Sequence, residues 1–168
     1  MNRLPVGLGN AASVVAGPGV MAGLVPWLLT GWRSSHPPRG VIVLGALLVS
    51  VGAVVLLRAA VRFLVEGRGT LAPIAPPEQL VVGGLYRYVR NPMYLAVIAM
   101  IIGEALLLGR AVLVVWAAAF LLATATFVRF YEEPTLNRRY GEQYTAYRRA
   151  VRGWWPRLRP WSPETAGR

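Results

Sequence analysis

The stretch Val41-Ile42-Val43-Leu44-Gly45-Ala46-Leu47-Leu48-Val49-Ser50-Val51-Gly52-Ala53-Val54-Val55-Leu56-Leu57 carries no charge and a single hydroxyl. It neither alternates nor has a polar face, so it does not read as a surface helix or half-buried strand of a soluble domain. It reads as the body of a membrane helix over residues 41–65. Its far end turns polar at Arg58, Arg62 and Glu66, whose i, i+4, i+8 spacing places them on one stripe at the membrane surface. Outward from it, three more apolar runs occupy residues 11–32, 94–108 and 111–131. The expected fold is all-α: an integral membrane bundle of four transmembrane helices, followed by a C-terminal amphipathic interfacial helix.

Composition agrees with that reading. The 168 residues are 55% hydrophobic and 15% charged, with a mean hydropathy of +0.47, whereas a soluble domain carries roughly 25% charged residues. A chain this short has too little volume to hide so much apolar surface. We read residues 1–168 as one membrane domain. Residues 11–65 hold two generic spans, and Pro18 and Pro26 predict a kink in the first. Residues 66–158 hold a Gly- and Pro-rich loop, a helical hairpin closed at Gly109-Arg110, and the tail helix. Arg3 before the first apolar run imitates a signal peptide, but no small-residue cleavage site follows, so the run is read as a helix.

The charge inventory excludes whole classes of chemistry. All 18 basic residues are Arg and all 7 acidic residues are Glu. Absence of Lys removes a Walker-type phosphate loop and a Schiff base. Absence of Cys removes disulfides, zinc ribbons and a thiolate nucleophile. The single His36 excludes a multi-histidine metal site, and a Ser-His-Asp triad lacks its Asp. No metal is expected. The net charge of +11 lacks a soluble basic module that would read nucleic acid, and instead implies anionic membrane lipids as partners. Arg3, Arg58, Arg62, Arg68, Arg87, Arg90 and the tail from Arg129 fall on one side, against Arg33, Arg39 and Arg110 on the other. The positive-inside rule places that richer side, with both termini and the long loop, in the cytoplasm of a cell-membrane protein.

Two polar clusters border the hairpin. Gly84-Leu85-Tyr86-Arg87-Tyr88-Val89-Arg90-Asn91-Pro92-Met93-Tyr94 leads into the third span, with Asn91 biased to extended backbone and Pro92 placed to start the helix. Arg129-Phe130-Tyr131-Glu132-Glu133-Pro134 closes the fourth, with the helix expected to end at Glu133. That end would set two carboxylates against the negative pole of the helix dipole, which costs roughly 0.3–1 kcal/mol per charge. A broken local rule of this kind marks either a functional site or an Arg–Glu cluster balanced by Arg129. The tight turn makes the third and fourth spans antiparallel, so the two clusters should face each other. Tyr140, Tyr144, Tyr147, Val151 and Trp154 recur at helical spacing, which fits an interfacial anchor with its aromatic face on the bilayer, or a lid over the clusters. Glu104 lies inside the third span and is expected to pair with Arg110 or a backbone group near the outer face. Arg58 and Arg62 read as interfacial anchors or headgroup ligands, and Trp154-Trp155 as an aromatic belt.

With these motifs in order, the chain resembles the isoprenylcysteine carboxyl methyltransferase and phospholipid methyltransferase superfamily. The resemblance rests on Gly84-x-Tyr86-Arg87-x-x-Arg90-Asn91-Pro92-Met93-Tyr94, on Arg129-x-x-Glu132-Glu133-Pro134-x-Leu136, and on Tyr140-Gly141-x-x-Tyr144-x-x-Tyr147-x-x-x-Val151 with Pro156. Gly67-Arg68-Gly69-Thr70 with Pro73, Pro76 and Pro77 resembles its bacterial members. It implies a membrane methyltransferase that uses S-adenosylmethionine on a lipophilic substrate drawn from the bilayer. Tyr86, Arg87, Arg90, Asn91, Pro92, Met93, Tyr94, Leu95, Arg129, Glu132 and Glu133 would then bind the cofactor. Arg90, Asn91 and Tyr94 are the catalytic candidates, and Arg58, Arg62, Tyr140, Tyr144 and Tyr147 are substrate or lid candidates. Asn91 stands where eukaryotic isoprenylcysteine enzymes have His, and Asn is no general base near neutral pH. Membrane sterol reductases, which use NADPH, share a similar C-terminal organisation, but this chain has Glu132-Glu133-Pro134, Arg139-Tyr140-Gly141 and no Cys in place of their pattern. A transporter or scaffold is the third reading, and no internal repeat supports it.

Overall fold

A computed structural model describes residues 17–67 and 79–162. Arg3, the start of the first expected span, Arg68-Gly69-Thr70, Pro73, Pro76 and Pro77 lie outside them. Among the described residues the chain is all-α, with no strand. Helix α1 spans Gly17–Thr30, α2 Arg39–Gly67, α3 Pro92–Leu108 and α4 Ala111–Phe127. Two helical segments, Arg39–Glu66 and Ala111–Tyr140, are long and apolar enough to cross a membrane, with mean hydropathies of 2.8 and 2.3. Helices α1 and α3 are apolar but shorter.

The fourth helix does not stop at Glu133, which corrects the sequence expectation. A π-helical turn, Val128–Glu132, carries it into α5, Glu133–Tyr140. The Glu133 N–H reaches back five residues to Val128 O, immediately before Pro134. In a regular helix the proline ring would strike the carbonyl four residues back, and the wider turn relieves that contact. The same device precedes Pro26, where Val25 N–H bonds Val20 O after the π turn Val20–Leu24. Glu132 and Glu133 therefore sit within a continuing helix and not at its negative pole.

Helix α3 is the centre of the bundle. On one side it packs on α2 through glycine: a Cβ on Gly103 would lie 2.8 Å from Gly45 O and 2.7 Å from Val49 Cγ2, and one on Gly52 would lie 2.9 Å from Ala96 O. Close backbone approach of this kind is how helices associate where lipid removes the hydrophobic drive. On the other side Val97, Ile101 and Ala105 pack with Ala22 of α1 and Leu113 and Ala117 of α4, and Trp116 Nε1 donates to Met21 O at 3.0 Å. The hairpin turn is closed by Gly109, whose φ of 63° suits glycine. Ser35, in the α1–α2 link, donates its N–H to Leu108 O at 2.9 Å. Arg110 donates to Arg33 O at 2.9 Å and not to Glu104, whose buried Oε2 has no hydrogen-bond partner.

Beyond the bundle, Gly141 at φ 53°, ψ −122° breaks α5 from α6, Glu142–Ala150. Val151 is extended, so Trp154 leaves the helical face on which its spacing had placed it. The expected aromatic face does not lie on the bilayer either. Tyr144, Tyr147 and Val151 are buried against Trp161, with Leu80, Val82 and Leu136 around them. The segment after α6 folds back and supplies the apolar partner that the sequence pattern left to lipid.

Candidate active site

The site is built where the start of α3 meets the π turn of the fourth helix. Pro92 occupies the first helical position, where a missing N–H costs nothing. Just before it, the backbone is laced to the C-terminal segment: Arg90 N–H donates to Arg152 O at 3.0 Å, Asn91 N–H to Gly153 O at 3.2 Å and Trp161 N–H to Arg87 O at 3.0 Å. The approach at Gly153 is close: a Cβ there would lie 3.2 Å from Arg90 Nη2 and 3.4 Å from Asn91 Nδ2.

Arg90 organises the centre. Its Nη1 donates to Glu133 Oε1 at 2.8 Å and to Tyr144 OH at 2.9 Å, while Nε donates to Val151 O at 3.0 Å. Glu133 is buried, and its other oxygen lies 2.9 Å from Arg148 Nη2 and 3.6 Å from Arg129 Nη1. Three guanidinium groups thus surround one buried carboxylate, which compensates its desolvation. Burial pushes the Tyr144 and Tyr147 phenols above their ordinary range. Both stay protonated, and Tyr147 OH donates to Tyr86 O at 2.7 Å.

Glu132 is held differently. Its only hydrogen bond among the described residues comes from Tyr94 OH at 3.4 Å, a long contact that leaves its oxygens able to accept others. The Tyr94 ring stacks on Trp154, with centroids 6.3 Å apart and planes at 29°. Asn91 is buried, makes no capping bond, and its Nδ2 has no hydrogen-bond partner. Tyr94 thus links a half-free carboxylate to an aromatic stack, and three residues before it in the chain Asn91 holds an unused buried amide donor near Gly153.

The two clusters meet through Arg90–Glu133 and Tyr94–Glu132, while Arg129 reaches Glu133 within its own cluster and Asn91 Nδ2 bonds neither glutamate. Tyr144, named as a lid candidate, joins this centre through Arg90, and the remaining candidates make other contacts. Tyr86 and Met93 pack with Ala59, Phe63 and Val81, Leu95 N–H bonds Asn91 O as the helix begins, and Arg87 Nε turns to Trp161 O at 2.6 Å. Arg62 pairs with Glu66. Tyr140 borders the Tyr144 cluster. Sequence reasoning missed Arg148 and Gly153, and gave Trp154 an anchor, lid or belt role with no contact to Tyr94. The one available signal was that Arg148 follows Tyr144 by four residues, and so shares its face.

No curated protein and no solved structure matches the chain. A family model described as phospholipid methyltransferase matches residues 41–143, more than half of the sequence, covering α2 from its third residue, α3, α4 and the Glu132-Glu133 pair. The chain belongs to the phospholipid methyltransferase family, membrane methyltransferases of the phospholipid and isoprenylcysteine kind.

Proposed function

We propose that this chain transfers the methyl group of S-adenosylmethionine to a lipophilic or amphiphilic acceptor at the cytoplasmic surface of the cell membrane. The observation that carries the reading is the pairing of Glu132 with Tyr94, with the unpartnered Asn91 amide three residues before Tyr94 in the chain. This donor set fits the cofactor: Glu132 can accept from its amino or ribose groups, and Asn91 Nδ2 can donate to its carboxylate. The faces of Tyr94 and Trp154 suit a sulfonium through cation–π attraction. When bound, the cofactor supplies an electrophilic methyl group. The chain's own contribution is alignment and exclusion of water, for which Trp154 stacks on Tyr94 and the segment carrying it is bonded to the backbone of Tyr88, Arg90 and Asn91. A carboxylate acceptor needs no base. An amine or phenol acceptor does, and Glu132 is the nearby group that can take its proton.

In this reading α1 and α3 are the other two spans, and α3 at about 1.5 Å per residue is close to the thickness of the hydrocarbon core. The Arg-rich side, with both termini, faces the cytoplasm. Calorimetry of detergent-purified protein tests the assignment. S-adenosylhomocysteine should give a saturable heat and NADPH none. Binding of NADPH alone would assign a reductase, and binding of neither a transporter or scaffold.

A further inference from the structure

At the polar end of α2 a cleft of about 530 Å³ is lined by Arg62, Glu66, Gln79, Arg87 and Ser162, with Val65, Leu80, Val82 and Gly83 as its remaining wall. None of these residues belongs to the Arg90–Glu133 cluster or the Tyr94–Glu132 pair. The carboxylate in the cleft is already engaged: Glu66 Oε1 pairs with Arg62, and Oε2 accepts the Gly83 N–H at 2.9 Å. That leaves a net positive charge. The Arg62 side chain keeps 48% of its surface exposed. Arg87 uses Nε on Trp161 O, and its two terminal nitrogens make no hydrogen bond among the described residues. Guanidinium nitrogens presented in this way suit a phosphate, which they bind through paired N–H groups.

One wall of the cleft continues into the lipid-facing surface of α2. Leu57, Val61 and Val65 recur every four residues and are 65%, 50% and 67% exposed, so they form a single apolar stripe that ends at the cleft. A soluble anion has no use for that stripe, whereas an acyl chain can lie along it with its headgroup at Arg62 and Arg87. We propose that this cleft is a binding site for the phosphate headgroup of an anionic membrane lipid, separate from the methyl-transfer site. The site fixes the depth of the α2 end and of the Gly84–Arg87 turn relative to the bilayer surface. It does not depend on the identity of the cofactor or of the methyl acceptor.

Native mass spectrometry of the detergent-purified full chain, titrated with phosphatidylglycerol and with phosphatidylcholine, tests the assignment. The wild type should retain phosphatidylglycerol at least about 10-fold better than phosphatidylcholine, as expected for two charge-assisted contacts to its headgroup. Arg62→Gln combined with Arg87→Gln should remove that preference. Because Arg62 also steadies Glu66, Val65→Glu serves as a second variant. It sits on an exposed wall, leaves both arginines in place, and should remove the preference by charge repulsion. Circular dichroism and thermal melting verify that each variant is folded. A folded Val65→Glu or double variant that keeps wild-type phosphatidylglycerol retention would overturn the site. Equal displacement of phosphatidylglycerol by millimolar inorganic phosphate would overturn the lipid assignment, since the acyl stripe would then contribute nothing.

Discussion

Arg90 and Glu133, 43 residues apart, form a 2.8 Å ion pair that joins the start of α3 to the first residue of α5, directly after the π turn. The pair is nearly fully buried, with side-chain exposures of 13% and 9%. Glu133 is thus a clamp that fixes Arg90, while the neighbouring Glu132 keeps acceptor capacity. Two adjacent carboxylates of identical chemistry are separated into two roles by the roughly 100° of helical rotation between consecutive residues.

The first expected outcome follows from that division. Glu132→Gln keeps the shape but loses a charged acceptor worth about 1.5–3 kcal/mol, so affinity for S-adenosylhomocysteine should fall roughly 10- to 100-fold. Its melting temperature should change little. Unchanged affinity in a folded Glu132→Gln protein would remove this residue from the cofactor site.

Glu133→Ala should behave in the opposite order. It leaves Arg90 buried without its carboxylate, a defect that costs about 3–5 kcal/mol. Thermal melting in detergent should show a large destabilisation, and cofactor affinity measured on the surviving folded fraction should fall by less than in Glu132→Gln. A Glu133→Ala protein of wild-type stability would show that the clamp is not structural.

Tyr144 links α6 to the same guanidinium, since its OH accepts from Arg90 Nη1 at 2.9 Å. Tyr144→Phe removes only that bond, so cofactor affinity should weaken by up to about 10-fold while membrane insertion stays intact. Equilibrium binding and carbonate extraction on the same preparation separate the two effects. Loss of membrane association with normal affinity would return α6 to a purely anchoring role.

Gly103→Leu should unfold the bundle, because its Cβ would already lie 2.8 Å from Gly45 O before any further atom is added. Size-exclusion profiles should show aggregate in place of a monodisperse peak. A monodisperse, thermally normal Gly103→Leu protein would refute glycine-mediated contact between α2 and α3.

The orientation is open to a direct test because the chain contains no cysteine. Ser162→Cys should react with a membrane-impermeant thiol reagent only when the cytoplasmic face is accessible, and Ser35→Cys only from the outside. Labelling of Ser162→Cys from outside intact cells would invert the topology.

The sequence by itself determined the apolar helices, the hairpin at Gly109-Arg110, and the meeting of the Arg90-Asn91-Pro92-x-Tyr94 and Glu132-Glu133 motifs. Each follows from local information: uninterrupted apolar length, a glycine able to take positive φ, and the antiparallel return that a tight turn enforces. What the chain does past Glu133 was not legible in this way. Proline read locally ends a helix, but the π turn at Val128–Glu132 shifts the hydrogen-bond frame and lets the helix run on to Tyr140. An aromatic stripe reads the same whether its partner is lipid or protein, and only the returning segment with Val151 and Trp161 decided for protein. The roles of Arg87, Arg148 and Trp154 were likewise decided by tertiary structure. Spacing gives the face a side chain occupies, and contacts between segments distant in sequence decide what that face meets.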